Sequence, residues 1–409
     1  MTTTGGKLAF YRPIVPLFGA IFLCLLGVGA SLAVLPFYVL DELDGNRVEV
    51  GVVIAAIAVS AVIARPVAGR LGDRHGYRTV MLAGAAVCAA AAAAYLVAGN
   101  VGVLVGVRVL HGVGEAAVYT AGAAWLVALA PADRRGRVVG LYGIHMWLGI
   151  TLGALLGAVL LRTSGGYPAV WLFAILAALA GAALVAVRPR PEQPEPKGPA
   201  GILPRSAVAP GVALSLAGFG YAALAAFVAL HLADRGIENG IAAFNAFGFT
   251  YVGVRLFVGG LPDRLGAGRV AVASALVEAV GLLLVAVAPN LVVAVVGGLV
   301  IGAGLSLLFP ALALLVINRT DPAHQGAALG AFTSFWDLGL VAGAPLAGLV
   351  ASVAGYPAVF QVMLLAALVS AGISAWTMLP RRSLVGQRPG HAPERPSGER
   401  KGPFLTPGA

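Results

Sequence analysis

The chain reads as an all-α polytopic membrane protein, with twelve transmembrane helices in two pseudo-symmetric six-helix bundles. Three observations predict this. Hydrophobic residues make up 59% of the 409 and charged residues 11%, and the mean hydropathy is +0.93, too evenly apolar for one hidden core under a water-covered surface. Apolar stretches of about 20 residues or more, enough to cross a roughly 30 Å hydrocarbon layer, number twelve. Finally, the chain repeats itself: ARPVAGRLGDRHGYRTV from Ala64 is answered 190 residues later by VRLFVGGLPDRLGAGRV from Val254. The same offset relates Gly136 to Gly326, Gly140 to Gly330, Gly149 to Gly339 and Gly153 to Gly343, and GYPAV recurs at Gly166 and Gly355.

The apolar runs span approximately 14–40, 48–70, 79–99, 101–129, 138–162 and 167–187 in the first half. In the second they span 210–232, 240–262, 269–288, 290–317, 325–353 and 356–379. The first run is retained as a helix, because it is about 27 residues long, lacks a small-residue cleavage site and is followed by eleven more. Pro36 near its far end is expected to kink it. Cys24 and Cys88 sit in different helices and read as small packing residues. Between the halves, 188–209 holds six prolines among mixed charges and reads as a flexible linker. Residues 1–13 read as a short tail, and 380–409, rich in proline and basic residues, as a disordered one. The bundles are thus 14–187 and 210–379.

Orientation follows from the basic residues. With both termini cytoplasmic, 21 of the 27 Lys and Arg residues fall in cytoplasmic segments and three (Arg47, Arg162, Arg235) in outside loops. Arg65, Arg108 and Arg255 lie within or at the ends of helices. This is the positive-inside pattern. It also excludes nucleic acid as the meaning of the +10 charge, since the basic residues are spread over turns and not gathered on one face.

GRLGDRHGYRTV, from Gly69 to Val80, resembles the signature loop between helices 2 and 3 of the major facilitator superfamily, with Gly69, Leu71, Asp73, Arg74, Gly76, Arg78 and Val80 matching. A weaker copy, with Gly259, Asp263, Arg264 and Gly266, stands between helices 8 and 9, where that family also keeps one. The resemblance covers roughly residues 10–380. It implies a small-molecule transporter, monomeric and without a cofactor, in a bacterial or archaeal cell membrane, driven by the proton gradient. The signature implies a cytoplasmic gate, in which Asp73 contacts the other half near Gln325 and Gly326; the plainer reading is a tight turn with solvated charges.

Helix 4 resembles the family's pattern of an Arg before a Gly-rich stretch, at Arg108, Gly112 and Gly114. Arg108, His111 and Glu115 are spaced by three and four residues and so share a helix face, and at about 1.5 Å per residue Glu115 lies near the bilayer middle. Charges there are costly unless paired or wetted, so they should face a central cavity. The functional reading is a proton-coupling and substrate cluster in which Glu115 gains and loses a proton beside Arg108; the alternative is a packing salt bridge. In helix 5, Gly149, Gly153 and Gly157 resemble the motif of drug-proton antiporters, with Ala154 where that motif has Pro and Ala158 where it ends in Gly. Small residues every four positions also suit close helix packing. Gly343 and Pro345 form a partial counterpart in helix 11.

Asp337, His145 and Trp147 are further candidate cavity residues under the resemblance, with Asn245, Tyr251, Tyr119 and Tyr221 as possible neutral hydrogen-bonding groups. Glu278 lies on a helix that is peripheral in this family, where contact with Arg255 or a backbone group is expected. The six histidines form no metal-spaced pair and no Walker lysine motif occurs, so a metal, an enzymatic activity and ATP drive are not expected. Proton-coupled efflux of an amphipathic molecule or metabolite is the leading expectation; an uptake symporter or uniporter for a small organic solute is the alternative.

Overall fold

Helix starts follow local chemistry, and the repeat extends to it. The computed structural model describes residues 14–130, 135–163, 166–187, 205–320 and 325–378. Helices α1 (Val15–Phe37), α2 (Arg47–His75), α3 (Tyr77–Ala94), α4 (Val101–Leu129), α5 (Arg135–Thr163) and α6 (Tyr167–Ala186) form the first half. Helices α7 (Arg205–Ala233), α8 (Ile241–Val258), α9 (Ala267–Val287), α10 (Leu291–Ile317), α11 (Gln325–Ala354) and α12 (Tyr356–Trp376) form the second. All twelve are long and apolar enough to span a membrane. Asn100 caps α4 and Asn290, its counterpart, caps α10, their side chains accepting from Val103 N (2.9 Å) and Val293 N (3.1 Å). The turn before α3 passes through Gly76 at φ 87° and that before α9 through Gly266 at φ 91°, a left-handed geometry that favours glycine. Asn46 and Glu49 close α2 with a reciprocal capping box.

Three boundaries differ from expectation. α7 begins at Arg205, inside the stretch read as linker, with Pro210 inside the helix; Ser206 Oγ is 2.8 Å from Thr320 Oγ1 at the end of α10. α1 passes two residues beyond Pro36 into a π-helical turn, Tyr38–Glu42. After Val258 the chain breaks at Gly259 and Gly260, then forms a helical turn, Leu261–Leu265. Residues 188–204, 1–13 and 379–409, which hold the rest of the expected linker and tails, lie outside the described residues.

Packing repeats with the sequence. In the first half α1 packs on α5 and α6, α2 on α4, and α3 on α4 and α6; in the second α7 packs on α11 and α12, α8 on α10, and α9 on α10 and α12. Lipid as apolar as leucine gives no hydrophobic drive between helices, so close backbone approach through small residues must hold them. A Cβ at Gly153 would lie 2.9 Å from Ala30 N of α1, and one at Gly157 2.8 Å from Ala30 Cα. Across the second half, a Cβ at Gly343 would lie 2.9 Å from Phe219 Cα of α7. Outward, Leu276, Val280, Leu283 and Val287 form an exposed stripe along α9, suited to hydrocarbon.

The halves meet along α2 with α11 and α5 with α8, a pair of contacts that the repeat interchanges. One end of the molecule carries the turns at Gly76 and Gly266 and is called here the basic face; the other is the opposite face.

Candidate functional site

Closure at one face and opening at the other define the site. At the opposite face, a Cβ on Gly348 of α11 would lie 2.5 Å from Arg47 O of α2, and one on Gly51 3.0 Å from Pro345 Cα. Arg47 donates from Nη1 to Ala351 O (2.9 Å) and stacks over the Tyr356 ring at 4.4 Å, while Arg162 donates to Asn239 across α5 and α8. Pro345 therefore serves the contact between halves. Gly149 packs on α1 beside Gly153 and Gly157; a Cβ there would lie 2.8 Å from Phe22 O.

Below this closure lies a cavity of about 960 Å³, walled by α1, α2, α4 and α5 on one side and α7, α8, α10 and α11 on the other. It reaches Leu141, Asp263, Ile317 and Leu329 at the helix ends of the basic face. Its size suits a small organic ligand. At mid-depth Trp147 of α5 meets aromatic rings of three helices from the other half: Tyr221 at 5.2 Å, Tyr251 at 4.4 Å and Trp336 at 6.1 Å between centroids.

Charged side chains line this cavity at six positions, five along the helices and Asp263 at the mouth. Asp337 of α11 accepts an ion pair from Arg65 of α2, Nη1 to Oδ2 at 3.0 Å, so the bridge joins the two halves. The Arg65 guanidinium also lies 4.7 Å from the Tyr119 ring centroid. Glu115 of α4 lines the cavity and feels the charges of both Arg65 and Arg108. Arg108 makes no described ion pair with Glu115: it donates from Nε to Val53 O (3.2 Å) and from Nη1 to Tyr95 Oη (3.4 Å), and is 1% exposed. Arg255 of α8 completes the set, donating from Nη1 to Ser306 O at 3.1 Å.

Two histidines expected in the cavity are turned from it. The shared helix face does not carry His111 inward: its Nδ1 lies 2.9 Å from Tyr95 Oη, within the first half. His145 stacks on Phe18 of α1 with centroids 4.5 Å apart and holds Leu141 O at 2.7 Å. Asn245 is buried outside the cavity lining, its amide without a hydrogen-bond partner among the described residues. Glu278 is fully buried and meets neither Arg255 nor a backbone donor; both carboxyl oxygens lack a described partner, and a Cβ at Gly220 would lie 2.5 Å from Oε1.

In the signature loop, Asp73 and Arg78 make their hydrogen bonds within the first half. Asp73 Oδ1 accepts from Tyr77 Oη (3.1 Å), Arg78 donates to Ala186 O (2.6 Å), and Gln325 Nε2 turns to Ile317 O and Thr320 O in its own half. The contact expected of Asp73 near Gln325 is absent among the described residues because the basic face is the open one. Side chains around Gly326 lie outside the described set. Asp263 and Arg264 are exposed, Asp263 at the cavity mouth. Sequence reasoning missed Arg65 as the partner of Asp337 and Arg47 as a clasp; the repeat, which equates Arg65 with Arg255, was the available signal.

Comparison with known proteins agrees with this architecture. The sequence model of the Major Facilitator Superfamily matches residues 17–259 and 211–408. An uncharacterized MFS-type transporter, YhhS of Escherichia coli (strain K12), is 34% identical over 392 residues, 92% of this chain and 93% of the relative. One from Salmonella typhimurium (strain LT2) is 32% identical over 362 residues, 87% of this chain and 93% of the relative. Among solved structures, the nucleoside transporter NupG (a D323A mutant) superposes with a TM-score of 0.72 at 15% identity, over 90% of this chain and all of the other. The human organic anion transporter MFSD10 (TETRAN) gives 0.69 at 18%, over 89% and 99%. At such identities the likeness shows the fold alone. The chain belongs to the Major Facilitator Superfamily and is an integral membrane transporter of small molecules, with neither an enzymatic role nor a cofactor implied by the family.

Proposed function

We propose that this transporter is a proton-coupled exporter of a small amphipathic molecule, working as a monomer by alternating access with its basic face in the cytoplasm. The observation that carries the reading is the Arg65–Asp337 bridge, which ties one half to the other inside the cavity wall. A proton on Asp337 removes the charge that holds Arg65, so α2 and α11 lose this polar link. Loading and release of a proton then bias the two halves between their arrangements. Glu115 is the second acceptor and lies in the field of both Arg65 and Arg108. The cytoplasmic assignment rests on the 21 basic residues of that side. Asp73 and Asp263, at the two copies of the signature, are positioned to clasp the basic face when it closes.

The test is accumulation of a panel of toxic compounds and dyes in an efflux-deficient bacterial host, with and without a proton ionophore. Wild-type chain is expected to lower accumulation, and Asp337→Asn, Glu115→Gln or the ionophore to restore it. Raised accumulation by wild type would instead identify an importer. Full gradient-driven export by both variants would overturn the assignment of these carboxyls.

A further inference from the structure

The repeat places an arginine at 65 on α2 and another at 255 on α8, at equivalent positions of the two halves. It does not duplicate the acid: Asp337 on α11 corresponds to Trp147 on α5. One arginine is therefore neutralised across the interface and the other meets an aromatic ring cluster instead. Arg255 is half-buried and lines the cavity; among the described residues no carboxylate pairs with it. Its contacts are Ser306 O at 3.1 Å and the faces of Tyr251 and Phe309, with centroids 5.7 and 6.0 Å from the guanidinium carbon. A carbonyl and two rings orient a guanidinium without cancelling its charge.

The remaining cavity charges do not answer it. Asp337 belongs to Arg65, and Glu115 feels Arg65 and Arg108. Asp263 lines the mouth but is exposed, where water and salt screen it. A guanidinium in the cavity wall with no described carboxylate beside it is available for recognition, and its fork matches a planar oxyanion. Beside it the rings of Tyr251, Trp147 and Trp336 offer apolar faces.

We propose that Arg255 is the anion-recognition residue of the cavity, and that the transported molecule is an organic anion: a carboxylate carried on an aromatic body. The carboxylate sits on the Arg255 fork and the aromatic body lies against Trp147, Tyr251 and Trp336. This deepens the exporter reading and rests on it.

The test uses the full-length chain in nanodiscs and aromatic ligand series that share one body: 2-naphthoate, 2-naphthamide and 2-naphthylmethylamine, with the corresponding phenylacetic and indole-acetic series. Binding is measured calorimetrically. The carboxylate of at least one series is expected to bind tenfold or more tighter than its amide and amine. Arg255→Gln should reduce carboxylate binding to the amide level and leave amide binding unchanged, which also reports a folded cavity; Arg255→Lys should recover part of the loss. Equal or tighter binding of amides or amines, unaltered carboxylate affinity in Arg255→Gln, or no binding in any series would overturn the proposal. Proteoliposome transport separates the two claims: gradient-driven movement of neutral or cationic members without preference for anions overturns the anion site and leaves the exporter standing. Facilitated movement of carboxylates that is indifferent to the pH gradient keeps the anion site and overturns proton coupling.

Discussion

Gly51→Ala should push the transporter toward the arrangement that opens its opposite face. The added Cβ would lie 2.9 Å from the Ala344 carbonyl carbon and 3.0 Å from Pro345 Cα, and closer still to Ala344 O, all of them backbone atoms that no rotamer change can move. Ordinary carbon contact begins near 3.5 Å, so α2 and α11 must part by roughly half an ångström or more at this point. Overpacking of this kind costs about 1–3 kcal/mol. Only the arrangement closed at the opposite face bears that cost, so the ratio of the two states should shift by roughly 5- to 150-fold. The assay is labelling of a Leu340→Cys reporter in the cavity wall by a membrane-impermeant thiol reagent applied from the opposite face. Cys24 and Cys88 are buried and need not be removed. The labelling rate should rise by that factor in Gly51→Ala. Gly84→Ala is the control: its Cβ would lie 2.8 Å from Ala117 Cβ and from Gly114 O, entirely within the first half, so it should lower Tm without altering the rate. An unchanged rate in Gly51→Ala, or an equal rise in both variants, would refute the reasoning that this contact belongs to one state alone.

Arg65→Gln or Asp337→Asn alone should lower stability by about 2 kcal/mol, less than a fully buried pair because Arg65 is 20% exposed, whereas the double variant should recover most of it; thermal melts in a double-mutant cycle measure the coupling. His111→Gln should cost about 1 kcal/mol through its lost contact with Tyr95 and leave the proton dependence of transport unaltered, since His111 lies outside the cavity lining; transport against a stepped pH gradient checks this. Gly153→Val should separate α5 from α1, where the Cβ alone would lie 2.9 Å from Ala30 N, and prevent accumulation of folded chain, read by detergent size-exclusion profiles.

Much of the fold was legible because a bilayer imposes simple rules. A helix must satisfy its own backbone in hydrocarbon, so twelve apolar runs meant twelve helices, and the motif glycines Gly76 and Gly266 marked the turns before α3 and α9. The site was legible only in part. Glu115, expected at a cavity because a mid-membrane charge is costly, and Asp337 and Trp147, expected there under the resemblance, all line the cavity. His111 lies outside the lining because helical spacing tells which residues share a face and not which neighbour that face meets, and His145, a candidate under the resemblance, stacks on Phe18 instead. Seven residues separate Arg108 from Glu115, close enough in sequence to suggest a pair, yet Val53 O and Tyr95 hold Arg108 elsewhere.

By itself, then, the sequence determined the number of helices, the internal duplication and the family, since each is written in local composition or in the match of one segment to another. Tertiary structure alone decided that Arg65 of one half would bridge to Asp337 of the other, that Arg255 would line the cavity with no carboxylate partner among the described residues, and that the opposite face would be the closed one. These depend on how two six-helix halves dock. Docking is governed by close approach at positions such as Gly51 and Gly348, whose partners lie about 300 residues away along the chain and are set by shape across an interface, which no local pattern encodes.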